Sequence, residues 1–185
     1  MARYKELGGN PAGLGELAHR QDGDGTIECT GKKGPWLRTS RQFGDFNLRF
    51  QYQVSPGGNS GIYVRVPADG KHHRDNDKLP PAGFEVQVLD DNAKKYAKLK
   101  DYQYCGSVYA ISGATSRVSK PAGQWNTMEI IAKGPKLVHK VNGMMFATVI
   151  DHDKEMSRKK GFIALQDHGK GCTVAFRKIR LKKLP

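Results

Sequence analysis

The sequence predicts an all-β fold, an antiparallel two-sheet sandwich, on three observations. Short segments alternate apolar and polar residues with period two. The 22 glycines and 9 prolines punctuate these segments with turns, a density that a helical bundle would not tolerate. No segment shows a helical period of ordinary length, so evenly spaced strands must build the core by stacking two sheets. A chain of 185 residues fills one such core, and 1–185 reads as a single domain.

Residues 1–25 are Gly-rich and weakly patterned, an irregular N-terminal segment ahead of a sandwich over 26–183. Residues 26–30 read as a short strand and 36–39 as another. The clearest strand is 45–54, where Phe46, Leu48, Phe50, Tyr52 and Val54 alternate with Asn47, Arg49, Gln51 and Gln53. Turn residues Ser55, Pro56, Gly57 and Gly58 lead into a pair of alternating strands, 58–65 and 83–90. The long polar loop between them, 66–82, is of a kind uncommon without a functional or disorder explanation. The lysine-rich stretch 91–105 has room for one helical turn, and 106–111 is strand-like. Strands are expected next at 125–132 and 136–141, and Asn142-Gly143 marks a tight hairpin into 145–150. Strands 162–166 and 173–181 close the chain.

Lys and Arg number 31 against 18 Asp and Glu, a net charge of +13. The basic residues are spread over 32–33, 94–95, 158–160 and 177–183, with no recognition helix, RNA-binding aromatic motif or zinc-finger spacing. A solvated basic surface is therefore preferred to a nucleic-acid groove. No run of eighteen apolar residues is present to span a membrane as a helix. The start of the chain lacks the apolar core of a leader; a leader already removed would imply a periplasmic or secreted protein, and otherwise a cytoplasmic one.

Cys29, Cys105 and Cys172 are odd in number and far apart, which argues against a disulfide framework or zinc knuckle. Buried thiols are the default, with one bridge plus a free thiol as the alternative. His72-His73 with Asp75 and Asp77, and Asp151-His152-Asp153, lack a recognised ligand spacing and read as solvated loop.

The strands 58–65 and 83–90 carry the candidate site. Side chains two apart share a face, roughly 6–7 Å from one another. Ile62, Val64, Phe84, Val86 and Val88 would enter the core, leaving Asn59, Tyr63, Arg65, Glu85 and Gln87 together on the opposite face. On the strand at 162–166, Phe162, Ala164, Gln166 and His168 share a parity, so Gln166 and His168 could extend that face. An arginine, a carboxylate, amides and a phenol can bind a polyhydroxylated ligand and move protons. Plainer readings stand beside this one. Arg65 and Glu85 could be a cross-strand ion pair only, and His168 could cap a turn. Trp125 reads as core and Asn126 as turn. Tyr102 and Tyr104 could stack on a sugar ring or simply pack their loop.

Several motifs together resemble one family. They lie at 55–65 (Ser55-Pro56-Gly57-Gly58-Asn59-Ser60-Gly61 onward), 84–91, 106–109, 120–130, 141–143, 161–169 and 174–181. In order and spacing the chain resembles the 3-keto-disaccharide hydrolase domain family, across 26–183. Leu7-Gly8-Gly9-Asn10 stands where that family opens with a Phe-Asn-Gly-Lys-Asp-Leu-like stretch. The resemblance implies the concanavalin A-like lectin/glucanase jelly roll, and action on glycosides oxidised at C3 of the sugar.

Laminarinase-type relatives of that fold place carboxylates as Glu-x-Asp-x-x-Glu on one strand. The comparable stretch here offers Glu85 alone on the polar face, since Gln87 cannot titrate and Asp90 has the opposite parity. Glycosidases use two carboxyls, about 5–5.5 Å apart when retaining and about 6.5–9.5 Å when inverting, so conventional action is disfavoured. A 3-keto sugar needs less, because the ketone acidifies the C2 proton and the C1 substituent lies β to the carbonyl. Elimination of that substituent and addition of water would equal hydrolysis. Glu85 is the candidate base, Arg65 or His168 the enolate stabiliser, and Tyr109 or His168 the acid to the leaving oxygen. Asn59, Tyr63, Gln87, Gln166 and Tyr104 are candidates for binding the sugar. A divalent cation could chelate the enediolate. The alternatives are a non-catalytic carbohydrate-binding module on the same fold and, further off, a basic surface-binding protein.

Overall fold

The structure is a computed structural model that describes residues 19–21, 25–32, 37–67, 83–114, 116–150 and 159–185. Strands β1 (His19–Gln21), β2 (Ile27–Cys29), β3 (Leu37–Arg38), β4 (Phe46–Val54), β5 (Asn59–Val66) and β6 (Phe84–Leu89) form the first half. β7 (Asn126–Lys133), β8 (Lys136–Val141), β9 (Met144–Ile150), β10 (Phe162–Leu165) and β11 (Val174–Lys183) complete it. They make two antiparallel sheets, one of seven strands in the order β1-β2-β11-β4-β7-β8-β9 and one of four in the order β3-β10-β5-β6. The jelly-roll sandwich expected from the sequence is therefore observed, and no helix among the described residues is long and apolar enough to cross a membrane.

Alternation builds the core. Phe46, Leu48, Phe50, Tyr52 and Val54 of β4 are buried with Met128, Ile130 and Ala132 of β7, and they meet Ile62, Val64, Val86, Val88, Ile163 and Leu165 from the smaller sheet. Each large apolar side chain contributes about 1.5–3 kcal/mol through burial. The β8–β9 hairpin turns on Asn142 (φ 50°) and Gly143 (φ 84°), the paired left-handed conformations of a type I′ turn. Asn126 is fully buried and ties this hairpin to the preceding loop: its Oδ1 accepts from Lys120 N (2.8 Å) and Asn142 Nδ2 (2.9 Å), and its Nδ2 donates to Gln124 O (3.2 Å). All three cysteines are free and buried, which removes the bridged alternative.

Four sequence expectations are corrected. Residues 1–25 are not irregular throughout, because His19–Gln21 pairs with β2. The 91–105 stretch holds two 3-10 turns, Lys94–Tyr96 and Asp101–Gln103. Residues 106–111 are turn rather than strand, with left-handed Gly106 (φ 84°) and Ala110 (φ 59°), yet they cover the outer edge of β6. There Gly106 N donates to Gln87 O (2.9 Å), Gln87 N to Ser107 O (3.0 Å) and Tyr109 N to Glu85 O (2.9 Å). Trp125 is not core: it is half-buried beneath the Arg177 guanidinium, 3.8 Å from its ring. Trp36, most of the 66–82 loop and both candidate metal clusters lie outside the described residues.

Candidate active site

β5 runs through the smaller sheet between β10 and β6, so its outward side chains have neighbours on both flanks. The register sets two transverse rows. Glu85 pairs with Tyr63, which pairs with Ala164. One step along, Gln87 pairs with Gly61, whose carbonyl accepts from Gln166 N (3.0 Å). Tyr63, Glu85, Gln87 and Gln166 thus share the face turned away from the core, as the alternation predicted. Asn59 lies at its edge, its Oδ1 accepting from Gln87 Nε2 (3.2 Å).

Glu85 is the centre of this face. It is 7% exposed, and the Tyr63 hydroxyl donates to its Oε2 at 2.5 Å. Its carboxyl lies across Gly61, where a Cβ would collide with Glu85 Oε1 and Cγ. A side chain at 61 would displace the acid, so glycine here is a requirement of close packing. Burial pushes the Glu85 carboxyl up to about 7, and hydrogen bonds from Tyr63 and Gln166 pull partly against that rise. Burial and the Glu85 charge push Tyr63 far up, so it remains a phenol and donates. Gln166 Nε2 in turn reaches the Tyr63 oxygen at 3.5 Å. Its backbone is held from below, because Ser60 Oγ (2.6 Å) and Cys29 Sγ (3.3 Å) both donate to Gln166 O.

Tyr109 joins the rim. Its hydroxyl accepts from Gln103 Nε2 (3.3 Å), its ring meets Tyr102 edge-on at 5.8 Å, and it lies near enough to Tyr63 to help raise that phenol. His168 is half-buried, with Nδ1 buried and unpartnered. Burial, then Lys170 and Lys95, hold its pKa below the usual value, so the ring is neutral near pH 7.

Two expected members are placed elsewhere. Arg65 does not follow the strand alternation. It has φ 58°, at a bulge where the β5–β10 register shifts, so Val64 and Arg65 together oppose Ile163. A bulge re-aims its side chain, and the Arg65 guanidinium faces Asp45, which directly precedes β4, at 3.5 Å. Gly161 packs so closely on the Arg65 backbone that a Cβ there would overlap it. Tyr104 is 4% exposed within the core cluster, accepts from Leu99 N (3.2 Å) and lies under Arg117, so it packs its loop and offers no stacking platform. Tyr102 remains half-exposed beside Tyr109.

No second carboxylate of the described residues joins Glu85. Asp90 is used by backbone, its Oδ2 accepting from Gly57 N (2.8 Å), and Asp91 by Cys105 N (2.9 Å) and Ser119 Oγ (2.9 Å). No group of three or more His, Cys, Asp or Glu positioned to hold a metal occurs among the described residues. Sequence reasoning alone does not find Gly61 as the floor beneath Glu85. Its signal is a glycine inside an alternating strand, which often marks close approach.

Comparison with known proteins gives the family and the fold. Residues 6–182 match the family profile described as the 3-keto-alpha-glucoside-1,2-lyase-like domain. A Bacteroides thetaiotaomicron protein named 3-keto-disaccharide hydrolase is 32% identical over 207 residues, covering 95% of this chain and 67% of that protein. A crystal structure of a proposed glycosyl hydrolase from Parabacteroides distasonis ATCC 8503 superposes with a TM-score of 0.80 at 24% identity, covering 98% of this chain and 100% of the other. The carbohydrate-binding module CBM66 from Bacillus subtilis shares the fold at TM-score 0.60 and 11% identity, over 92% and 96% of the two chains.

Proposed function

Because the chain belongs to the 3-keto-alpha-glucoside-1,2-lyase-like domain family, we propose that it cleaves glycosides oxidised at C3 by proton abstraction next to the ketone. The observation that carries this reading is a single buried carboxyl, Glu85, brought to about 7 and held at 2.5 Å by a phenol. Such a group can take and return a proton near neutral pH. The absence of a partner carboxylate among the described residues fits chemistry that relies on the substrate's own ketone better than it fits paired-carboxylate hydrolysis.

In the proposed step Glu85 removes the C2 proton, and the electrons of that bond form an enolate over C2, C3 and the C3 oxygen; as the C3 carbonyl re-forms they make the C1–C2 double bond and the C1–oxygen bond breaks. Tyr109 supplies the proton to the leaving oxygen. Neutral His168 donates a hydrogen bond to the enolate oxygen at C3, where charge develops. Water then adds at C1 and gives its proton back to the Tyr109 phenolate, while Glu85, its proton exchanged with solvent, protonates C2. Arg65 has no part in this scheme, since its guanidinium serves Asp45.

A binding module on the same fold is the competing reading. A sugar-binding face gains nothing from a buried acid that titrates near 7, which favours the enzyme. The test is incubation with a 3-keto glucoside and with its unoxidised parent, in deuterated water. Cleavage of the keto compound alone, with deuterium at C2 of the product, is the expected result. Binding of both without product from either would replace the enzyme by a lectin-like module.

A further inference from the structure

The outward face carries buried acceptors with nothing to accept. Gln87 is 4% and Gln166 8% exposed, and each has a buried Oε1 without a hydrogen-bond partner. The other atom of each amide is engaged. Gln87 Nε2 donates to Asn59 Oδ1, an oxygen that can only accept. Gln166 Nε2 donates to the Tyr63 oxygen, whose own hydrogen is committed to Glu85. Turning Gln166 would set its oxygen against the Tyr63 oxygen, and turning Gln87 alone would set its oxygen against Asn59 Oδ1. Leaving a buried acceptor unsatisfied costs roughly 1–3 kcal/mol, so two on one face call for a donor from outside the chain.

Their placement says what kind of donor. The glutamines occupy one transverse row on the strands flanking Gly61. Their backbones are two strand spacings apart, roughly 9.5 Å, and glycine leaves the gap between them free of side chain except for the Glu85 carboxyl lying across it. Sugar hydroxyls donate, whereas a ketone oxygen can only accept and would be repelled by the two amide oxygens.

We propose that Gln87 and Gln166 form a hydroxyl clamp that accepts hydrogens from the two hydroxyls flanking the oxidised carbon, those on C2 and C4 of one pyranose ring. This inference rests on the carbohydrate reading of the site and adds its specificity to it. The clamp holds the ring by its hydroxyl edges, turns the carbonyl oxygen away from the amide oxygens, and sets C2 over Glu85. It selects rings that carry donors at both positions and discriminates against their deoxy forms, since each missing hydroxyl leaves one buried acceptor unpaired.

The test is calorimetric titration of the full chain with methyl glucoside and its 2-deoxy and 4-deoxy analogues. These compounds carry no ketone, so the measurement stands whether or not a 3-keto glycoside is turned over. On the unsubstituted protein each deletion should weaken binding about tenfold. In Gln87→Met and Gln166→Met the parent should bind about tenfold more weakly, and one of the two deoxy penalties should vanish in each variant. Deoxy analogues that bind as tightly as the parent, a parent that does not bind, or penalties unchanged in both variants would overturn the clamp. The comparison on the unsubstituted protein decides the matter even if a variant does not fold.

Discussion

Tyr63 and Glu85 face each other across β5 and β6, with the phenol oxygen 2.5 Å from the carboxylate. The bond favours the charged form of Glu85 and opposes the effect of burial, which has raised the acid to about 7. Tyr63→Phe removes that opposition. The pH–rate profile should then shift to higher pH, with a lower rate at pH 7 that recovers in more alkaline buffer. A uniform drop at every pH would mean that Tyr63 does not act through Glu85.

Glu85→Gln should lower turnover of a 3-keto glycoside by orders of magnitude, and its effect on stability should have the opposite sign. Glu85 titrates at about 7 when folded and near the ordinary glutamate value of 4.5 when unfolded. The unfolded state therefore loses its proton first, and stability falls as pH rises from about 4.5 to 7. The amide cannot ionise and escapes this loss. Thermal unfolding at pH 8 should show the variant to be more stable than the parent protein by a few kcal/mol, with the difference shrinking towards pH 4. An unstable variant at pH 8 would show that the carboxylate is better accommodated than its burial implies.

Asn126 contributes to architecture alone. Its side chain makes three hydrogen bonds, two of them to loop backbone and one to Asn142 in the β8–β9 turn. Asn126→Ala leaves the Lys120 N–H without its acceptor and should cost roughly 3 kcal/mol. Denaturant unfolding reads this loss, while activity per folded molecule should be unchanged.

Most strands were legible because one rule, alternation, governs both the exposed and the buried face. It placed Tyr63, Glu85, Gln87 and Gln166 on one face without knowledge of the register. It failed at Arg65, because one extra residue in a bulge inverts the parity of the residues beyond it and carries no sequence mark that a regular strand lacks. Residues 106–111 misled for another reason. Val108, Tyr109 and Ile111 have strand propensity, but left-handed Gly106 and Ala110 turn the chain at both ends. Trp125 left the expected core and Tyr104 took the packing of its two readings, because an aromatic ring is at home under an arginine or in a loop core. The direct Tyr63–Glu85 bond lay beyond reach, since the long 66–82 connection leaves the pairing of β5 with β6 undetermined by turn chemistry.

The two close-approach glycines should separate chemistry from stability. At Gly61 the obstacle to a new methyl is the Glu85 side chain, and at Gly161 it is the Arg65 backbone. A side chain can swing aside, so Gly61→Ala should fold at a cost of about 1–3 kcal/mol, with Glu85 displaced from the Tyr63 hydroxyl. A displaced base misses its proton, and turnover should fall about a hundredfold, in keeping with the cost of small misplacements at a reacting centre. Backbone held in a paired sheet cannot swing. Gly161→Ala must pull apart the bulge and the bridge between Phe43 and Gly161, so its damage should appear in the melting temperature first. Measuring kcat and thermal unfolding for both variants tests the distinction. A Gly61→Ala protein with the parent rate would mean that Glu85 need not lie against Gly61 to work, and the assignment of Glu85 as the base would lose its geometric support.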